Sequence, residues 1–152
     1  MAKKIFLNFA LPITLGTLIY LLFRDKNLLV FHWANALGVY LPITEIRPLF
    51  AGMSNYLPPA IIYSLPNGLW AYSFMFFITN IWRDDHGITK SLFLSLVCML
   101  SLGSELGQLV NIIPGTFCLN DLMFYSVGLL LGYVCGNKNP FKENSLICIE
   151  IK

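Results

Sequence analysis

The chain alternates long uncharged apolar runs with short clusters of charge, a pattern that predicts helices crossing a bilayer. The first run, Ile5 to Phe23, holds nineteen residues with no charge and one interior proline, Pro12. At 1.5 Å per residue it reaches roughly 28 Å, close to the ~30 Å hydrocarbon core. Lys3 and Lys4 precede it as they would a secretory leader. The apolar stretch is too long for a leader core, and Arg24-Asp25-Lys26 stands where small cleavage-site residues are needed, so the run is expected to remain as a span. A second run covers Ile61 to Trp82, with its continuous helix predicted to begin around Pro66 or Asn67, because proline suits a first helical turn. Trp70 and Tyr72 then fall near one interface and Trp82-Arg83 near the other. The third run, Ser91 to Val110, is interrupted only by Glu105 and Gln108. The fourth, Leu119 to Cys135, carries Gly128 and Gly132, a spacing that lets another helix approach closely.

Between the first two runs the pattern changes. Leu28 to Leu41 spans fourteen residues, too short for a comfortable crossing. His32 and Asn35 share one polar side, with Trp33, Leu37, Tyr40 and Leu41 nearer an apolar side, which predicts a helix lying in the membrane interface. Prolines at 42, 48, 58 and 59 are expected to break the following stretch into short interfacial or re-entrant pieces. The predicted fold is therefore an all-α polytopic membrane helical bundle of four transmembrane helices plus an interfacial or re-entrant helix. Five transmembrane helices are the alternative. Residues 1–136 form a single transmembrane domain in this reading, and residues 137–152 a short cytoplasmic polar tail.

Composition supports the same solvent. The chain is 57% hydrophobic and 12% charged, with mean hydropathy +0.68, about half the charge of an ordinary soluble domain. So little charge cannot clothe a small soluble surface, which argues against a soluble enzyme. The net charge of +2 is scattered at the ends of apolar runs and makes no stripe for a phosphate backbone, so no nucleic-acid partner is expected. Membrane lipids are. With four spans and the N-terminal end inside, Lys3, Lys4, Arg83, Lys90, Lys138, Lys142 and Lys152 fall inside, while Arg24, Lys26 and Arg47 fall outside. A five-span arrangement with the opposite start orients the last three spans identically. Both place the Glu105-to-Asp121 region on the non-cytoplasmic side and the C-terminus in the cytoplasm.

With so few ionisable groups, those inside spans need a reason. Glu105 lies roughly 8 Å below the outer end of its span, and Gln108 shares its face one turn on. A carboxylate there faces protein or a polar cavity rather than lipid, and suits either proton exchange or a helix-to-helix hydrogen bond. The connection Asn111–Asn120 is short, so the third and fourth spans are antiparallel neighbours, and Asp121 approaches Glu105 and Gln108 from the opposing helix. Paired carboxylates can divide acid and base roles. Asp121 or Asn120 can instead cap the fourth helix. Two carboxylates and one amide are too few ligands for a metal site, and no cofactor motif occurs. Asn67 and Trp70 begin the second span on the same outer side and contribute a rim, with Tyr63, Ser64 and Tyr72. His32, Glu45 and Arg47 belong to the outer connector, where Arg47 can meet a lipid phosphate. Arg83-Asp84-Asp85-His86 reads as a polar turn on the cytoplasmic side. Cys98 and Cys135 read as small packing residues, and Cys118 and Cys148 fall on opposite sides.

Glu105-x-x-Gln108, Pro114-Gly115-Thr116 and Asp121-x-x-x-Tyr125-x-x-Gly128 with Gly132 together resemble the VanZ-like family of small bacterial membrane proteins. The resemblance covers about residues 101–136. Family members typically carry a glutamate and glutamine one turn apart, a proline-glycine-arginine turn and an aspartate opening the next helix, with asparagine common four residues on. Thr116 stands at the arginine position and Tyr125 at the asparagine position, which removes a bidentate anion binder from the turn. The resemblance implies a bacterial cytoplasmic membrane location and a cell-envelope role.

The expected function is a multi-pass membrane protein with an outward-facing polar pocket for an envelope lipid or related amphiphile. Glu105 and Asp121 are the candidate catalytic residues, and Gln108, Asn67, Trp70, Tyr125 and Arg47 the candidate substrate-binding residues. One alternative is a non-enzymatic accessory or assembly factor with a membrane-protein partner, or a homo-oligomer. A weaker one is a proton-coupled transporter.

Overall fold

The computed structural model of the chain describes residues 2–26, 28–38, 40–85 and 87–138. His86, Lys142, Cys148, Lys152 and the tail from residue 139 lie outside the described residues. Within them the chain is all helix: α1 (Ala2–Ile5), α2 (Leu11–Phe23), α3 (Leu29–Ala36), α4 (Tyr40–Phe50), α5 (Pro59–Tyr63), α6 (Leu65–Ile81), α7 (Ile88–Leu109) and α8 (Leu119–Asn137). A π-helical turn, Phe6–Ala10, joins α1 to α2. Pro12 explains it. The proline ring crowds the carbonyl four residues back and its nitrogen cannot donate, and the preceding backbone widens so that Leu11 N–H bonds Phe6 O instead.

Three helices are long and apolar enough to cross a membrane: Phe6–Phe23, Ile88–Leu109 and Leu119–Asn137. The second expected run, Ile61 to Trp82, is divided at Ser64 into α5 and α6. The main helix starts at Leu65 with Pro66 in its first turn, where the missing N–H costs nothing. At 17 residues α6 measures roughly 26 Å. Its neighbours surround it: Pro66, Asn67, Gly68, Ala71, Ser73, Met75, Phe76, Thr79 and Asn80 are all buried. Helices α2 and α7 run antiparallel to it and α8 runs parallel.

The α6–α8 contact is the tightest in the molecule, and glycine makes it so. A Cβ added at Gly68 would stand 2.8 Å from Phe124 O, one at Gly132 2.5 Å from Tyr72 O, and one at Gly128 would run into Gly68 O. Backbones this close exchange dispersion along their whole length, which is what holds helices together when the solvent is itself apolar. At the far end Arg83 Nε donates to Gly136 O at 3.2 Å and its Nη2 bonds Asn80 Oδ1, tying the α6–α7 turn to the end of α8. On the other flank Phe9 stacks on Phe77 at 4.5 Å, and Tyr72 donates to Asn8 Oδ1 at 2.5 Å. Tyr72 therefore turns toward α2 rather than joining a rim.

The connector is helical but short-winded. Helix α3, eight residues long, measures about 12 Å and is too short to cross alone. It ends at Gly38, whose φ of 73° is the left-handed conformation common after a helix C-terminus. Its inward side is Phe31 and Ala34, while Trp33 and Leu37 are exposed. Helix α4 runs through both Pro42 and Pro48 before tightening into a 3-10 turn, Ala51–Asn55. Pro42 falls in the first turn, where no intrahelical donor is needed. Only the Pro58-Pro59 pair acts as expected, opening α5. Exposed Leu, Ile, Met and Phe side chains line α2, α7 and α8, the surface of a protein whose solvent is lipid.

Candidate functional site

Four helix ends converge on one side of the bundle: the C-termini of α2 and α7 and the N-termini of α6 and α8. They enclose a cavity of about 680 Å³. Glu105, Gln108, Asp121, Asn67, Trp70 and Tyr125 all line it. The expected rim residues Tyr63 and Ser64 line it too, whereas His32, Glu45 and Arg47 do not.

Glu105 is the one buried side chain of α7, 4% exposed. Its Oε2 accepts the backbone N–H of Cys118 at 3.3 Å. Cys118 is the N-cap residue of α8 and makes no side-chain cap, so the carboxylate crosses from α7 to serve a helix start whose amides have no intrahelical acceptor. The turn between is built for this. Helix α7 stops at Asn111, φ 58°, with Ile112 N–H bonding back to Gly107 O at 2.8 Å, a helix-ending pattern that satisfies late carbonyls. Gly115, φ 143°, then turns the chain back against Gln108, whose amide carbon and nitrogen lie 2.7 Å from where a Cβ would sit. A side chain at Gly115 would strain the backbone and push the Gln108 amide aside.

Asp121 enters in the first turn of α8. It contributes no N-cap hydrogen bond; its Oδ1 is buried and has no hydrogen-bond partner. Glu105 and Asp121 are close enough to feel one another's charge, and Tyr125, one turn along α8, lies near both. Trp70 Nε1 donates to Thr17 Oγ1 at 3.3 Å and Asn67 Nδ2 to Tyr63 O at 3.5 Å, so Trp70 is tied to α2 and Asn67 to the end of α5.

Two wall residues carry no mark in a reading of the spans alone. Tyr20 and Arg24 reach the cavity from the end of α2. With Gly16 they recur every four residues on one face, and Gly16 lies against Trp70 and Pro66 of α6. That stripe is the signal that would have found them. Arg24 sits beside the Tyr20 and Tyr63 rings, at 5.3 and 5.1 Å from their centroids, and its Nε is buried with no partner. Arg47 lies behind it: Nη1 donates to Leu21 O at 2.9 Å and Nη2 to Arg24 O at 2.5 Å. Its guanidinium also lies 5.1 Å from the Phe31 ring. Cys98, Cys118 and Cys135 are free thiols. Among the described residues no group of three His, Cys, Asp or Glu side chains could hold a metal ion.

Chemically the chamber offers one guanidinium, two carboxylates, amides and aromatic faces in a polar recess at one end of an apolar bundle. No curated protein and no solved structure matches the chain. A family profile does match, over a segment that begins one residue after Arg24 and includes the connector as well as α6, α7 and α8. Residues 25–137, about three quarters of the sequence, match VanZ/LLP1, and the chain belongs to the VanZ/LLP1 family.

Proposed function

We propose that this protein of the bacterial cytoplasmic membrane binds an envelope lipid or related amphiphile in the polar cavity, with the cavity facing outward. The observation that carries this reading is the convergence of Arg24, Glu105, Gln108 and Asp121 on one recess of a bundle whose outer faces are apolar. Charged side chains inside a membrane bundle are costly and mark a working site, and a recess of this kind between helix ends suits a ligand with a polar head and an apolar body. Helix α6 serves as a fourth crossing beside the three longer helices. In the chemical version of this reading Glu105 exchanges a proton with the ligand while Asp121 orients it. Gln108, Asn67, Trp70 and Tyr125 form the wall, and Arg47 acts from behind by holding Arg24.

A second reading has its own observation. The Glu105–Cys118 hydrogen bond joins α7 to α8, which also suits a carboxylate kept for assembly in an accessory protein. Glu105→Gln separates the two, because a glutamine oxygen still accepts the Cys118 N–H while the charge is gone. Lipids retained after mild detergent extraction are compared between the wild type and Glu105→Gln, with thermal unfolding as the control. Ligand binding predicts an enriched lipid in the wild type, about a tenfold loss of it in the variant and a nearly unchanged melting temperature, the size expected for one charged contact. Identical lipid profiles in the two proteins overturn it.

A further inference from the structure

The cavity wall carries opposite charge on different helices. Arg24 comes from the end of α2, flanked by the Tyr20 and Tyr63 rings, which hold its plane while its N–H edge stays available. Its Nε is buried without a hydrogen-bond partner. Asp121 comes from the start of α8, and its Oδ1 is buried without a partner as well. Glu105 stands beside Asp121, and Tyr125 lies within electrostatic reach of both carboxylates and of Arg24. An orphaned charged donor and an orphaned charged acceptor in one chamber are each costly, and together they describe what relieves them.

The occupant has to present an acceptor to Arg24 and a donor to Asp121. A phosphodiester supplies oxygens matched to a guanidinium. A purely anionic head group would satisfy Arg24 but leave two carboxylates facing each other and the anion. A quaternary ammonium would balance their charge yet has no N–H for Asp121 Oδ1, whereas a primary ammonium has three. A second cavity, apolar and of about 460 Å³, lies along the α7–α8 seam, with Cys98, Leu102, Leu129 and Leu130 in its wall. Leu102 is one turn from Glu105, Leu129 is one turn from Tyr125, and Tyr125 packs on the same Ala71–Met75–Leu129 cluster. The apolar groove thus begins about one helical turn along the seam from the polar chamber, with Leu102 and Leu129 at its near edge, and offers surface on which an acyl chain fits and a soluble zwitterion has nothing to place.

We infer that the cavity selects a primary-amine phospholipid, with the phosphodiester on Arg24, the ammonium between Asp121 and Glu105, and one acyl chain in the α7–α8 groove. This rests on the reading of the chamber as an amphiphile site and gives that ligand a head group.

The full-length protein is delipidated in a sugar-headed detergent, and binding is read by native mass spectrometry for phosphatidylethanolamine, phosphatidylglycerol and phosphatidylcholine with the same acyl chains, and for glycerophosphoethanolamine. The inference expects phosphatidylethanolamine to bind at least about tenfold more tightly than either other lipid, the scale of one charge-assisted hydrogen bond. Arg24→Gln and Asp121→Asn each lower that affinity about tenfold and erase the preference. Glycerophosphoethanolamine binds far more weakly than the lipid. Equal affinity for the three lipids on the wild-type protein overturns the head-group assignment with no variant needed. If Glu105→Gln still weakens binding of all three, the amphiphile site stands without this selectivity. If Glu105→Gln, Arg24→Gln and Asp121→Asn all leave every lipid unaffected, both readings fall. Glycerophosphoethanolamine binding as tightly as the lipid overturns the membrane source.

Discussion

Single side chains at the polar end divide into those that are anchored and those that wait for a partner. Glu105, Trp70 and Asn67 are anchored; Asp121 Oδ1 and Arg24 Nε are not. Arg47 belongs to the first kind and serves the second. By bonding Leu21 O and Arg24 O it covers the carbonyls left open at the end of α2, at the negative pole of that helix, and so fixes where Arg24 starts. If Arg47 positions Arg24, their effects on ligand affinity are not additive. Arg47→Ala is expected to weaken binding several-fold in the wild type and to add almost nothing in an Arg24→Gln background, a coupling of about 1 kcal/mol read by a double-mutant cycle. Additive losses would show that Arg47 supports only the fold. Glu105, Gln108 and Asp121 were legible from the sequence because their proximity is local: one turn of helix, a short connection, and the opening turn of the next. Arg24 was not, because its neighbours are set by how α2 leans on α6.

Between elements the decisive contact is α6 against α8, and glycine carries it. Gly128 and Gly132 announced a close approach, but the sequence left open which helix would come; the matching Gly68 on α6 identifies it only once the two are superposed face to face. Gly132→Ala puts a methyl group 2.5 Å from Tyr72 O, and backbone cannot step aside as a flexible side chain can. A loss of about 1–3 kcal/mol is expected from overpacking, read as a lower melting temperature in detergent. Gly103 supplies the control. It lies in α7 with nothing near its missing Cβ, so Gly103→Ala is expected to be neutral or to stabilise by up to ~1 kcal/mol through helix propensity. Equal losses at the two glycines would mean that α6 and α8 are not packed backbone to backbone. The connector was the least legible element. Hydropathy sees Leu28–Leu41 as one apolar piece, whereas its course depends on a left-handed residue at Gly38 and on the tolerance of α4 for Pro42 and Pro48, neither of which changes hydropathy.

For the whole molecule the open quantity is direction. The cavity end carries Arg24, Lys26 and Arg47, and the opposite end carries Lys3, Lys4, Arg83, Lys90 and Lys138. Positive side chains near membrane spans are retained on the cytoplasmic side, and the excess at the end away from the cavity is the ground for proposing that the cavity faces outward. Helix directions sharpen this beyond charge alone. The ends of α2 and α7 and the starts of α6 and α8 lie together, so one label position reports for them all. The prediction uses a variant lacking the native cysteines, with a single cysteine returned by Thr116→Cys, at the cavity mouth, or by Asp84→Cys, in the exposed turn after α6. A membrane-impermeant maleimide is expected to label Thr116→Cys in intact cells and Asp84→Cys only after permeabilisation. The reverse pattern would turn the cavity toward the cytoplasm, and its ligand would then be drawn from the inner leaflet. Labelling of both in intact cells would place the two ends of the bundle on one side, which helices that cross the membrane do not permit.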